Sequence, residues 1–152
     1  MDLLTAITAL AVIANGLLAG ISFDTSLVKL PARRRIGNIA YAVFARGNDL
    51  GNGMIVYPVL AISAGLFVFA ATIIAASEKV SGNLLLTFIV ASITMVIHFI
   101  GTAKAAPEML SIKNTPDDED VLKEQFDKFE RWHGFRACFQ LITFIIILCA
   151  LL

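Results

Sequence analysis

The chain has 152 residues, of which 58% are hydrophobic and only 16% charged. Soluble domains run at about 45–50% apolar and about 25% charged, so this balance, with a mean hydropathy of +0.81, marks a membrane protein. The formal net charge is zero and offers nucleic acid no basic face. At this length a single domain over residues 1–152 is expected.

The first apolar stretch runs from Leu3 to Phe23 and is closed by Asp24. About 20 apolar residues suffice for a helix to cross a bilayer. The MDLL start has no basic region, so no cleaved signal peptide is expected and this span should persist. Gly16 and Gly20 form a GxxxG within it. That spacing suits close helix packing, either inside the bundle or in a homo-oligomer.

The first connection holds Lys29, Arg33, Arg34, Arg35 and Arg46. Within RRRIGNIAYAVFARGND, the residues Ile36, Ile39, Ala40, Val43 and Phe44 recur at helical spacing. An amphipathic helix lying on the membrane surface is expected there. The second span runs from about Gly53 to Ser77, with Pro58 early in it. It is followed by SEKVSGN and a third span from about Asn83 to Ala103.

The next connection leads into a long helix. Thr115 is the expected N-cap, Pro116 the first helical residue and Asp118 a capping-box acid. Leu122, Phe126, Phe129, His133, Arg136 and Gln140 then repeat every three or four residues. Glu119–Lys123, Glu124–Lys128 and Asp127–Arg131 are spaced as supporting pairs. One helix is expected from about Pro116 to the end, bridging a cytosolic half and a fourth span, Phe135 to Leu152. Cys138 and Cys149 share that span, about 16 Å apart as helix, too far to be bridged. The fold class is thus all-α integral membrane. It is a four-transmembrane-helix bundle with an interfacial helix in the first loop and a fourth helix extending into the cytosol.

Lys and Arg concentrate in the first and third connections. These are expected in the cytoplasm, with both termini outside and the protein in the cell (inner) membrane. The polar residues of the spans gather toward that same side. They are Asn15, Ser22 and Asp24 on the first; Asn48, Asp49, Asn52 and Tyr57 at the second; His98, Thr102 and Lys104 on the third; and His133, Arg136 and Gln140 on the fourth. Such groups are costly against lipid and should face one another or a cavity. Each also has a plainer role open to it. Arg131 and Arg136 can reach headgroups, the amides can join helices, Asp24 and Asp49 can end them, and His98 can be a bonded bundle histidine. Taken together they outline a cytoplasm-facing pocket for a small lipophilic ligand. Its expected lining is Asn15, Asp49, Asn52, Tyr57, Lys104 and Gln140, with His133, Arg136 and His98 as candidate catalytic groups.

Metal chemistry is not indicated. Glu130 and His133 have the Glu-x-x-His spacing of di-iron bundles, but no second such motif exists, because Met95 precedes His98 by three. His98 and His133 differ in expected depth, which disfavours a shared haem. No Walker, GxGxxG or GxSxG motif is present. No cofactor is expected. The length and unbroken spans do not suit a transporter.

LVKLPARRRIG, HFIGTAKAAPEM and FERWHGFRACFQ resemble segments of the family of small four-span membrane proteins that includes the fungal anthrone oxygenases. The resemblance implies four helices. It also implies cofactor-independent oxygenation of an activated phenolic or anthrone substrate, with His133 and Arg136 as the carried-over positions. Trp132 and His133 are adjacent here, unlike the spacing in those oxygenases, and His98 stands where an amide is expected. Two functions are therefore open: a membrane binder or accessory protein with a lipophilic ligand, and an oxygenase of this kind.

Reporter fusions after Gly47 and Asp118 should report cytoplasm and a fusion after Leu152 the outside. A cytoplasmic signal from the last would reverse the orientation.

Overall fold

The computed structural model describes residues 2–152, and every regular element among them is helical. Helix α1 spans Leu3–Asp24 and is capped by Asp2, whose carboxylate accepts from the Thr5 amide at 2.7 Å. It does not stop at Asp24. A wide π-turn, Thr25–Lys29, carries it into α2, Leu30–Ile36, so that one rod runs from Leu3 to Ile36. The charge expected to close the span is met instead by Lys29, 3.2 Å away across that turn.

The rod ends at Gly37, whose φ of +87° is open to glycine and strained for any other side chain. Helix α3, Asn38–Gly47, follows, then a second π-turn, Asn48–Asn52, and α4, Gly53–Ser77. Gly51 makes the kink, with φ −92° and ψ −115°. Pro58 leaves the Met54 carbonyl without its amide, yet α4 continues through it. A turn over residues 78–81 leads to α5, Gly82–Ser111, where the Ser81 side chain caps the start. Helix α5 passes Ala103 and Pro107 before it ends.

Helix α6 spans Glu119–Leu151 without a break at Gly134. Its start corrects the expected one. Asp118 is itself the N-cap, accepting from the Asp120 and Val121 amides at 3.0 Å each, and Pro116 lies outside the helix.

Among the described residues, four helices are long and apolar enough to cross a membrane. They pack in a ring. α1 touches α4 and α6, and α5 touches the same two, most extensively α6 and least α4. The buried middle of the ring holds Ala11, Ala14, Leu18, Ala61, Ala64, Val68, Ala71, Ala75, Phe88, Ala91, Met95 and Ile147. Seven of these twelve are alanine, so the backbones approach closely and dispersion rather than side-chain bulk binds them. Gly16 serves this packing. A β-carbon there would lie 3.1 Å from the Phe144 ring of α6, whereas Gly20 has open space. Hydroxyls add bonds between helices, Thr143 to Thr94 at 2.8 Å and Thr72 with Ser92 at 2.8 Å.

The two long connections do not hang free. They build a second tier, whose core is Leu30, Tyr41, Ala42, Ala45, Ala105, Met109, Ile112, Leu122, Phe126 and Phe129. Helix α3 buries Tyr41, Ala42 and Ala45 against it, with Tyr41 edge-on to Phe126 at 5.0 Å. Of the expected stripe, Ile36, Ala40, Val43 and Phe44 are exposed, while Ile39 is half-buried against this core.

Ion pairs bolt the tier together. Arg33 is 4% exposed and donates to Asp127 at 2.6 Å and Glu130 at 3.1 Å, while its guanidinium lies over Phe126. Arg46 donates to the Ile112 and Thr115 carbonyls and to Asp117. Of the helical pairs expected in α6, Glu124–Lys128 forms at 2.8 Å. Lys123 pairs instead with Asp127 at 3.2 Å, because Glu119 is used elsewhere. Its carboxylate accepts from the Ile39 amide at 3.2 Å, the Asn38 amide at 3.0 Å and the Asn38 side chain at 2.7 Å. It thereby caps α3 from another helix.

Those bonds, the Ile39 amide first, hold the Glu119 carboxyl below the usual carboxylate range. A depressed carboxyl stabilises the fold above its unfolded pKa and loses that contribution as pH falls through the folded one. Amide exchange at Asn38 and Ile39 should therefore accelerate below about pH 4 relative to neighbouring helices. Glu119→Gln should show the fast exchange already at pH 7.

Candidate ligand cavity

Between the two tiers lies a polar layer, built by a run of bonds that starts on α6. The Arg136 guanidinium donates through Nε and Nη2 to Nδ1 of His133, at 3.2 and 2.9 Å. An imidazole nitrogen that accepts carries no proton. His133 is thus neutral with its hydrogen on Nε2, which donates to the Ser22 carbonyl of α1 at 3.1 Å. On the other side, His98 of α5 donates from Nδ1 to the backbone carbonyl of Arg136 at 3.0 Å. Its Nε2 faces the Thr102 hydroxyl at 3.4 Å. Residue 136 therefore joins three helices, by its side chain to α1 through His133 and by its carbonyl to α5.

That approach depends on Gly101. A β-carbon there would meet Arg136 Cβ at 2.9 Å and Phe135 Cδ1 at 3.0 Å. Any larger residue would push α5 off α6 where His98 reaches across.

A turn deeper, the Gln140 amide donates to Asn15 Oδ1 at 2.8 Å. Asn15 itself donates to the Ala11 carbonyl at 2.8 Å and toward the Ala64 carbonyl of α4 at 3.4 Å. These amides tie α1 to α6 and α4.

Beside this layer is a cavity of about 400 Å³. Its wall is mostly apolar: Leu18, Ile21, Leu50, Met54, Ala61, Ile62, Phe99, Ala105, Met109 and Phe129 belong to it. Its polar groups are few: Ser22, Thr25, Asp49, Tyr57, Thr102 and Arg136. Both π-turns border it, Thr25 from the first and Asp49 from the second. Widened turns of this kind redirect side chains and recur at functional sites. Asp49 is 9% exposed. Its Oδ1 accepts from Asn48 at 2.8 Å and from the Tyr57 hydroxyl at 3.2 Å, and its Oδ2 has no partner.

Not every expected site residue is here. Arg136, Asp49 and Tyr57 line the cavity. His98, His133, Asn15 and Gln140 are fully buried in the wall behind it. The expected lining is corrected at four positions, Asn15 and Gln140 among them. Asn52 lies beside the Gly51 kink and is exposed, and Lys104 is exposed on α5. His98 bonds the Arg136 carbonyl, one turn along α6 from His133, and both histidines are buried, at 0% and 1%. Sequence reasoning missed the close approach at Gly101 and the apolar contributions of Phe99 and Met109. A glycine in mid-span was the available signal for the first.

The chemistry open to this arrangement is narrower than the residue types suggest. Both histidines have their nitrogens engaged in protein bonds and neither reaches the cavity, which a general base must do. Among the described residues, no three His, Cys, Asp or Glu side chains gather to hold a metal. The groups that meet the cavity are one guanidinium, one carboxylate with an unused oxygen and three hydroxyl types. No known family, curated protein or solved structure matches the chain.

Because His133 holds Arg136 and bonds α1, His133→Ala should do more than alter a pocket. Loss of a buried, doubly bonded side chain should destabilise the bundle by on the order of 3 kcal/mol. A lowered unfolding midpoint in detergent is expected. An unchanged midpoint would mean that the relay carries no load.

Proposed function

We propose that this protein is an integral membrane protein that binds a small lipophilic molecule in the cavity between its two tiers. The observation that carries the reading is the cavity itself: about 400 Å³, mostly apolar walls, and a few polar groups among them. That is the make-up of a small-molecule site, in which apolar area supplies affinity and sparse polar groups supply orientation. The membrane setting draws support from the outside of the bundle. Ile13, Leu17, Ile55, Leu66, Ile73 and Leu86 are each more than half exposed, on three different helices. A soluble monomer rarely presents so much contiguous aliphatic surface. The Lys and Arg distribution supports a cytoplasmic second tier. The outward Ile36, Val43 and Phe44 face then suits contact with the headgroup region.

Cofactor-independent oxygenation is the second reading, carried by the family resemblance of the three segments. The hydrogen-bonded state of both histidines weighs against it, since neither is free to take a substrate proton. A contact between copies at Gly16 and Gly20 has to compete with the Phe144 ring that Gly16 already meets.

The test is photolabelling in nanodiscs with a neutral alkyl diazirine alcohol. Labelled peptides should come from cavity walls, residues 53–62 and 99–110, and Ala61→Phe should reduce the yield several-fold. Labelling confined to the outer faces of the helices would reject the site.

A further inference from the structure

The cavity opens sideways. Met54, Pro58 and Ile62 of α4 and Ala106 and Leu110 of α5 both line it and are exposed. They flank the seam where the ring is least closely packed, between α4 and α5. Along that seam a chain can reach the cavity without leaving an apolar surface.

The polar part of the lining is electrically unfinished. Arg136 places Nε and Nη2 on one neutral nitrogen, and Nη1 has no protein partner among the described residues. No carboxylate lies within ion-pair distance of Arg136 there. A guanidinium held at a neutral acceptor in apolar surroundings lacks the anion that normally accompanies it. Asp49 has the reverse deficit. It is nine-tenths buried, lines the same cavity, and its Oδ2 accepts nothing. The two charges are too far apart to satisfy each other directly.

Building on the ligand-binding reading, we propose that the cavity takes a long-chain carboxylic acid from the bilayer. The acid enters between α4 and α5 and seats its head between Arg136 and Asp49. A carboxyl group has two oxygens in one plane. One accepts from the Arg136 guanidinium, and the other shares a single proton with Asp49 Oδ2. Arg136, Asp49 and the protonated acid sum to zero charge, so the complex brings no net charge into the apolar cavity. A methyl ester cannot supply the proton. An alcohol must serve both partners from one oxygen, and an amine adds a second cation beside Arg136. The apolar walls take the chain.

Three diazirine probes of equal chain length separate the cases in nanodiscs: the fatty acid, its methyl ester and the matching alcohol. The acid should label the cavity peptides about tenfold more than the ester at equal dose, with the alcohol between them. Arg136→Lys and Asp49→Ala should each bring acid labelling down to the ester level measured in the same variant. Arg136→Lys keeps the charge and loses the planar fork, which guards against a variant that fails to fold. Ala106→Trp, at an exposed portal position, should lower labelling by all three. Equal labelling by acid and ester, or acid labelling that survives both head-end substitutions, would overturn the inference while the ligand-binding reading stands. No cavity labelling by any probe would overturn both.

Discussion

A guanidinium sits among apolar helices with no carboxylate against it, and the rest of this architecture is arranged around that constraint. Arg136 can be held there because His133 presents a bare nitrogen, and His133 can present it because the Ser22 carbonyl takes the hydrogen on the opposite side of its ring. The Ser22 carbonyl lies just ahead of the turn in which α1 widens, and Gly101 lets α5 come close enough for His98 to use the Arg136 carbonyl. Each of these features alone is ordinary. Together they fix three helices at one level, and the fourth, α4, is held there by one long hydrogen bond, from the Asn15 amide to the Ala64 carbonyl, and by Gly65 packing on the Phe99 ring. The least-bound helix therefore borders both the cavity and its opening.

Much of this was legible in the sequence because its cause is local. The hydropathy of four stretches gives four helices, and the second span begins and ends where the sequence places it, at Gly53 and Ser77. The stripe Leu122, Phe126, Phe129, His133 and Gln140 is buried as its spacing demands. The meeting of Gln140 with Asn15, and of His98 with the fourth helix, follows from the cost of burying such groups unpaired among apolar helices.

The rest escaped for reasons that are tertiary. Asp24 reads as a stop, because a lone charge ends an apolar run. Only the five-residue reach of a π-turn reveals Lys29 as its partner. Lys104 looks like part of the His98 wall, yet six residues at 100° each put it 240° around the helix. The reading of Thr115 and Pro116 as a helix start lost to Asp118, whose carboxylate meets two amides at once. The outward stripe on α3 fits the expected amphipathic helix; what the spacing did not reveal is the second face, Tyr41, Ala42 and Ala45, that packs inward. Which face turns inward depends on Phe126, far along the chain.

The unbroken length of α6 has a mechanical consequence. From Arg136 to Glu119 is seventeen residues of helix, an arm of about 25 Å at 1.5 Å per residue. If α6 tilts by about 5° at the level of Arg136, the tip at Glu119 is displaced by about 2 Å on that arm. The hydrogen bonds from Asn38 and Ile39 to Glu119 are 2.7–3.2 Å long and do not survive such a displacement. By lever length alone, a change of angle too slight to disturb the alanine-packed helices below would be magnified at the far tip into the loss of a cap.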